Sequence, residues 1–149
     1  MTGRQDETAS SPPFDLLFEQ SPDACIFADR NGAIRLWNAA AERVFGYAAP
    51  EVLGGSLDVI IPERFRAAHW RGFQQAIDSG STKYAGRALT TRAVHKDGRS
   101  LYVDMTFALL KDRDGAVLGA LAVTRDCTEA YLAQKALRER IAQLEKQKT

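Results

Sequence analysis

Apolar residues fall along the chain in short blocks, each with its own period, separated by glycine, proline and aspartate. Residues 1–12 are polar and of mixed charge and run into Pro12-Pro13, the composition of a disordered lead. Phe14, Leu16, Leu17 and Phe18 then suit two helical turns whose apolar side chains need a surface to cover. Ala24 to Asp29 is a short apolar strand, Arg30-Asn31-Gly32 a turn, and Ala33 to Asn38 the second strand of a hairpin. Asn38 is placed to cap a helix that begins at Ala39, carries Glu42 in its first turn and ends near Gly46. Pro50 and Gly54-Gly55 mark further short helices and turns. A longer helix starts at Pro62, runs to about Asp78 and stops at Ser79-Gly80. Phe65, His69, Phe73 and Ala76 recur on it at helical spacing, which sets a histidine in an apolar stripe.

The last third has the period of strands. Gly86 to Lys96 ends in the turn Asp97-Gly98, and Leu101 to Leu110 ends in Asp112-Arg113-Asp114-Gly115. In the second of these, Leu101, Val103, Met105, Phe107 and Leu109 share one face, against Tyr102, Asp104 and Thr106 on the other. Ala116 to Arg125 closes the set and is apolar on both faces, with Val117, Leu121 and Val123 opposite Leu118, Ala120 and Ala122. Its outer face therefore needs a cover: the N-terminal helix, the C-terminal helix or a second subunit. From Thr128 onward the residues are good helix formers. Ala130, Leu137, Ile141 and Leu144 make a seam of about two to three heptads, too short to pair alone but able to extend a dimer. Two strands, short helices, one longer helix, three antiparallel strands and an exit helix describe an α+β domain.

Composition removes several functions. An apolar share of 45% with 26% charged residues is that of a soluble globular domain, and 149 residues suffice for one core. A net charge of +1 leaves no basic field for nucleic acid or an anionic membrane. No apolar run approaches the roughly 18 residues that span a bilayer, and the N-terminus lacks a secretory apolar region, so the expected location is cytoplasmic. Cys25 and Cys127 are far apart, without the spacing of a zinc site or a disulfide framework. No nucleophile–base pair or carboxylate pair stands out, and the chain is not expected to be an enzyme.

Ile34-Arg35-Leu36-Trp37-Asn38, Ala40, Glu42, Phe45-Gly46-Tyr47, Glu51 and Gly54 resemble the first half of the PAS family. Lys96-Asp97-Gly98, Gly115, Gly119 and Arg125-Asp126-Cys127-Thr128 resemble its second half, with Cys127 where an aliphatic residue is usual. The resemblance implies a PAS fold over residues 13–127: a five-stranded antiparallel sheet with helices on one face and a ligand cleft under the longer helix. It implies a coiled-coil-like signalling helix over 128–149. Asp126 and Thr128 are expected to tie the last strand to that helix by local capping bonds.

PAS domains differ in ligand. The flavin and p-coumarate photosensor types need a cysteine that is absent between Cys25 and Cys127. Pro62-Glu63-Arg64-Phe65-Arg66-Ala67-Ala68-His69 is similar to the segment that carries the proximal histidine in FixL-type heme PAS sensors. That resemblance implies heme b with His69 on the iron, Gly86-Arg87 as the distal pair, and Met105 and Phe107 in the distal pocket. Phe65 and Phe73 join them as cleft residues, and Arg66 and Arg71 are candidate propionate partners. A histidine on an apolar helix face also fits a hydrogen-bonded core residue, and His95, beside its turn, reads as solvated. The expected function is a sensory domain that binds a small ligand or cofactor and signals through a homodimer to an output domain or partner protein. The alternative is a ligand-free module for protein–protein interaction.

Overall fold

The computed structural model describes residues 11–148, so residues 1–10 of the polar lead lie outside the described residues. Helix α1, Phe14–Glu19, precedes the hairpin of β1, Ala24–Asp29, and β2, Ile34–Trp37. The Asp29 carboxylate shapes the turn, accepting from the N–H groups of Asn31 at 2.9 Å and Ala33 at 3.1 Å. Helix α2, Ala39–Phe45, starts where the Asn38 side chain accepts from the Ala41 N–H at 3.0 Å. Next come α3, Ala49–Val52, a 3-10 turn over Leu57–Ile60, and the long α4, Glu63–Ser79, which stops at Gly80 in the left-handed region. Strands β3, Leu89–Val94, β4, Ser100–Lys111, and β5, Val117–Asp126, lead into α5, Thr128–Lys146.

The strands form one five-stranded sheet in the order β2-β1-β5-β4-β3. Every neighbouring pair is antiparallel. Alternation sends Ala24, Ile26, Val103, Met105, Phe107, Ala122 and Thr124 to the inner face, where the helices lie. The packed core gathers under α2 and α3, around Ile26, Ile34, Trp37, Phe45, Val52, Ile60 and Val103. There the Trp37 ring packs on Phe45 at 5.6 Å, and its indole N–H donates to the Tyr47 carbonyl at 3.0 Å. Among the described residues no helix is long and apolar enough to cross a membrane.

Four expectations change. Strand β3 begins at Leu89 rather than Gly86, because Gly86 sits at φ +72° in a turn closed by the Arg87 N–H on the Tyr84 carbonyl. Val117 does not share a face with Leu121 and Val123. The register shifts between Leu110 and Lys111, so Val117 pairs with Lys111 and is buried near Gly80. His95 is not solvated: its side chain is 15% exposed and lies so close to Gly46 that a Cβ there would stand 2.4 Å from the imidazole. Finally, Thr128 is the first residue of α5 rather than its cap, and its N–H donates to the Asp126 carboxylate at 2.9 Å. Its hydroxyl accepts from the Tyr102 N–H at 2.9 Å and bonds the Asp126 carboxylate at 2.6 Å, tying the helix to β4 as well as β5.

The outer face stays partly bare. Phe14, Leu16 and Leu17 of α1 are exposed, as is Leu36 of β2. Helix α5 lays Tyr131 on Tyr102 with ring centroids 3.8 Å apart, but Leu132, Leu137, Ile141 and Leu144 remain exposed, Leu137 at 61%.

Candidate ligand cleft

The helical spacing that aligns His69, Phe73 and Ala76 places them on the side of α4 that faces the sheet. The His69 ring meets Trp70 edge-on at 4.6 Å and Phe73 at 6.2 Å. Trp70 orients the helix: its indole N–H donates to the Asp58 carboxylate at 2.8 Å, and its ring lies against Gly32 in the β1–β2 turn. The Nδ1 of His69 is buried and has no hydrogen-bond partner among the described residues. Burial holds its pKa below the ordinary value of 6.5, only partly offset by the Asp58 charge, so the ring is neutral at physiological pH.

This has a consequence for stability. Well above 6.5 the ring is neutral in the folded and unfolded chains alike, and the group adds no pH dependence. As the pH falls through 6.5, the unfolded chain binds a proton that the folded one resists, and stability drops. Urea unfolding between roughly pH 5 and pH 8 is expected to show this slope, and His69→Phe to flatten it.

Facing α4, Met105, Phe107 and Leu109 of β4 and Ala120 and Ala122 of β5 are only half-buried, although they lie on the inner face of central strands. On α4 itself Ile77 alone is fully buried. The inner face is thus divided into a filled core under α2 and α3 and a half-covered apolar cleft under α4. Thr124 borders both, fully buried and opposite Met105 in the register, with its hydroxyl unpartnered. A buried polar group left without a partner costs about 1–3 kcal/mol, so two of them around one cleft need a reason.

Two other depressions are not lined by His69, although Trp70, against its ring, lines the first. A groove of about 380 Å³ runs past Gly32, Gly54, Gly55, Ser56 and Trp70. One of about 210 Å³ on the outer face contains Asp104, Thr106 and the ion pair of Arg125 with Asp23.

The family model for the PAS fold matches residues 14–127, the whole span from α1 through the end of β5. This chain belongs to the PAS family. The chain is 28% identical over 129 residues to the oxygen sensor protein DosP of Escherichia coli, covering 87% of this chain and 16% of that protein. It is 26% identical over 118 residues to the sensor protein FixL of Bradyrhizobium diazoefficiens, covering 79% of this chain and 23% of that one. The solved PAS domain from Colwellia psychrerythraea superposes with a TM-score of 0.66 at 21% identity, covering 78% of this chain and 95% of that one, and so shares the fold.

Within the PAS cleft the expected residues separate. His69 and Phe73 are together on α4, with Met105 and Phe107 on the sheet wall. Phe65 is 40% exposed beneath the Arg64 guanidinium, and Arg87 is exposed in the loop before β3. Arg66 spends its Nε–H on the Ile61 carbonyl at 3.1 Å, and Arg71 is exposed. Sequence reasoning missed Thr124, although its parity with Ala120 and Ala122 marks it as a hydroxyl on an apolar face. It also missed Trp70 and Asp58, whose contact joins segments distant in the chain.

His69 has the donor chemistry that a heme takes. A neutral imidazole, free of hydrogen bonds and bordered by apolar walls, is the donor that such an iron takes from a protein. Among the described residues no group of three or more His, Cys, Asp and Glu residues could hold a metal ion by itself.

Proposed function

We propose that this PAS domain is a heme-based sensor, with His69 as the axial ligand in the cleft between α4 and the inner face of β4 and β5. The observation that carries the reading is the half-buried His69 imidazole, its buried Nδ1 without a hydrogen-bond partner, at the edge of a half-covered apolar cleft. Similarity to proteins named as an oxygen sensor and as a sensor supports it, although the chain spans only 16% and 23% of their lengths. A bound heme supplies an iron centre that takes small diatomic gases. The chain's part is to supply one neutral nitrogen, exclude water with Phe73, Met105, Phe107 and Ala122, and register what the cleft holds. Free thiols at Cys25 and Cys127 go with a cytoplasmic setting.

The route to the output is built from β4 and β5. Tyr102 of β4 meets Thr128 by hydrogen bond and Tyr131 by ring stacking, so a shift of that strand moves the start of α5. In our reading two α5 helices meet along Leu137, Ile141 and Leu144, and the change in their packing is the signal to an output domain or partner protein. Replacing Leu137 and Ile141 with lysine is expected to halve the mass seen in sedimentation; an unchanged mass would remove α5 from the dimer.

The test of the cofactor is an absorption spectrum of purified protein with added hemin, beside His69→Ala. The expected result is a sharp, stoichiometric Soret band that shifts on reduction and with carbon monoxide and is lost in the variant. A band independent of His69, or none at all, would overturn the reading and favour a ligand-free interaction module.

A further inference from the structure

Among the described residues two polar side chains are fully buried, Asn38 and Thr124, and they differ in kind. Asn38 is satisfied four times over, accepting from the N–H groups of Cys25 and Ala41 and donating to the carbonyls of Phe18 and Asp23. The Thr124 hydroxyl has no partner. Its cross-strand neighbours on the inner face are Ala24 and Met105, and along β5 that face continues to Ala122 and Asp126; the Met105 thioether is a weak acceptor and the Asp126 carboxylate is taken by Thr128, and neither bonds Thr124. Packing does not ask for the hydroxyl. Valine has the same branched shape, suits a strand at least as well, and would avoid the desolvation of an unpaired O–H.

We infer that Thr124 is the sheet-side hydrogen-bond donor to the small ligand held in the cleft, a diatomic gas at the heme. This rests on the heme reading above. The inner wall presents methyl, thioether and phenyl groups at Met105, Phe107, Ala120 and Ala122, so the polar end of such a ligand meets one buried donor there. Arg87, the donor suggested by sequence resemblance, is exposed in its loop and lies outside that wall. A β-strand hydroxyl is held by the sheet ladder and keeps its direction as loops move, which makes it a discriminator between ligands that accept a hydrogen bond and those that do not.

The experiment uses Thr124→Val in two arms. Without hemin, the variant is expected to melt about 2–5 °C above wild type, because a lone buried hydroxyl has been replaced by a methyl group. A lower melting temperature would mean that the hydroxyl has a partner in the protein itself and would overturn the inference. With hemin loaded and reduced, carbon monoxide and oxygen are the probes. The variant is expected to show a higher C–O stretching frequency and to release oxygen, the stronger acceptor, about tenfold faster, the factor carried by one hydrogen bond. Unchanged release and an unchanged frequency, with the His69-dependent Soret band intact, would sink the role of Thr124 and leave the heme site standing. Wild type that takes up no hemin at all would sink both.

Discussion

Asn38→Ala is expected to cost about 3–5 kcal/mol of folding stability, since each buried partner left unpaired costs about 1–3 kcal/mol. The side chain is fully buried and joins three segments. Its Oδ1 holds the Cys25 N–H at 2.9 Å on β1 and the Ala41 N–H at 3.0 Å in the first turn of α2. Its Nδ2 holds the carbonyls of Phe18 and Asp23, both at 3.0 Å, across the α1–β1 connection. Alanine strands these groups in a space too tight for bulk water to replace the amide. A domain of ordinary stability has about 5–15 kcal/mol in hand, so the variant should be marginal rather than unfolded. The urea midpoint measures the loss. Hydrogen exchange should accelerate first at Cys25 and Ala41, and a loss below about 1 kcal/mol would show that those groups find water after all.

Gly119→Ala is the second large effect, expected to destabilise the domain by about 2–4 kcal/mol through overpacking in the middle of the sheet. A Cβ at Gly119 would stand 2.1 Å from the Ala28 carbonyl oxygen and 2.8 Å from Cζ of Phe27. The ring can move aside; the carbonyl cannot, because it belongs to the ladder between β1 and β5 at the centre of the sheet. For that reason Phe27→Ala should rescue little when combined with Gly119→Ala. Gly72→Ala is the control of opposite sign. Nothing lies within 4 Å of a Cβ there, and alanine within a helix gains about 0.5–1 kcal/mol over glycine. Equal effects of the two substitutions on the urea midpoint would contradict the packing argument.

Local rules were enough for most of the elements. Pro62 and Gly80 bracket α4: Pro62 stands at the N-cap, one residue before the helix it was expected to begin, and Gly80 tolerates the left-handed end. The alternation from Leu101 to Leu109 set the inner face of β4 correctly, since period two is a property of the extended backbone itself. Asn38 was legible as a cap for the same kind of reason: the Oδ1-to-Ala41 bond spans three residues. Its other bonds reach Phe18, Asp23 and Cys25 and were not legible, because no local pattern records which distant carbonyl will face an amide.

The site divides along the same line. Helical spacing alone put His69 in an apolar stripe, and the motif around Pro62 tied it to the heme-binding members of the PAS family by resemblance. Whether that imidazole has a partner depends on what Asp58, Trp70 and the inner face of β4 and β5 bring to it, and that was decided only when the chain closed. His95 shows the same limit from the other side. Beside a turn, with Lys96, Asp97 and Arg99 around it, it read as solvated, and the close approach of Gly46 shields most of it. Sequence by itself determined the order and kind of the elements and the faces of α4 and β4, because dihedral preferences and side-chain periods act over a few residues. Tertiary structure decided which buried polar atoms are satisfied, Asn38 wholly and His69 Nδ1 and the Thr124 hydroxyl not at all, because hydrogen-bond satisfaction depends on groups brought together from across the fold.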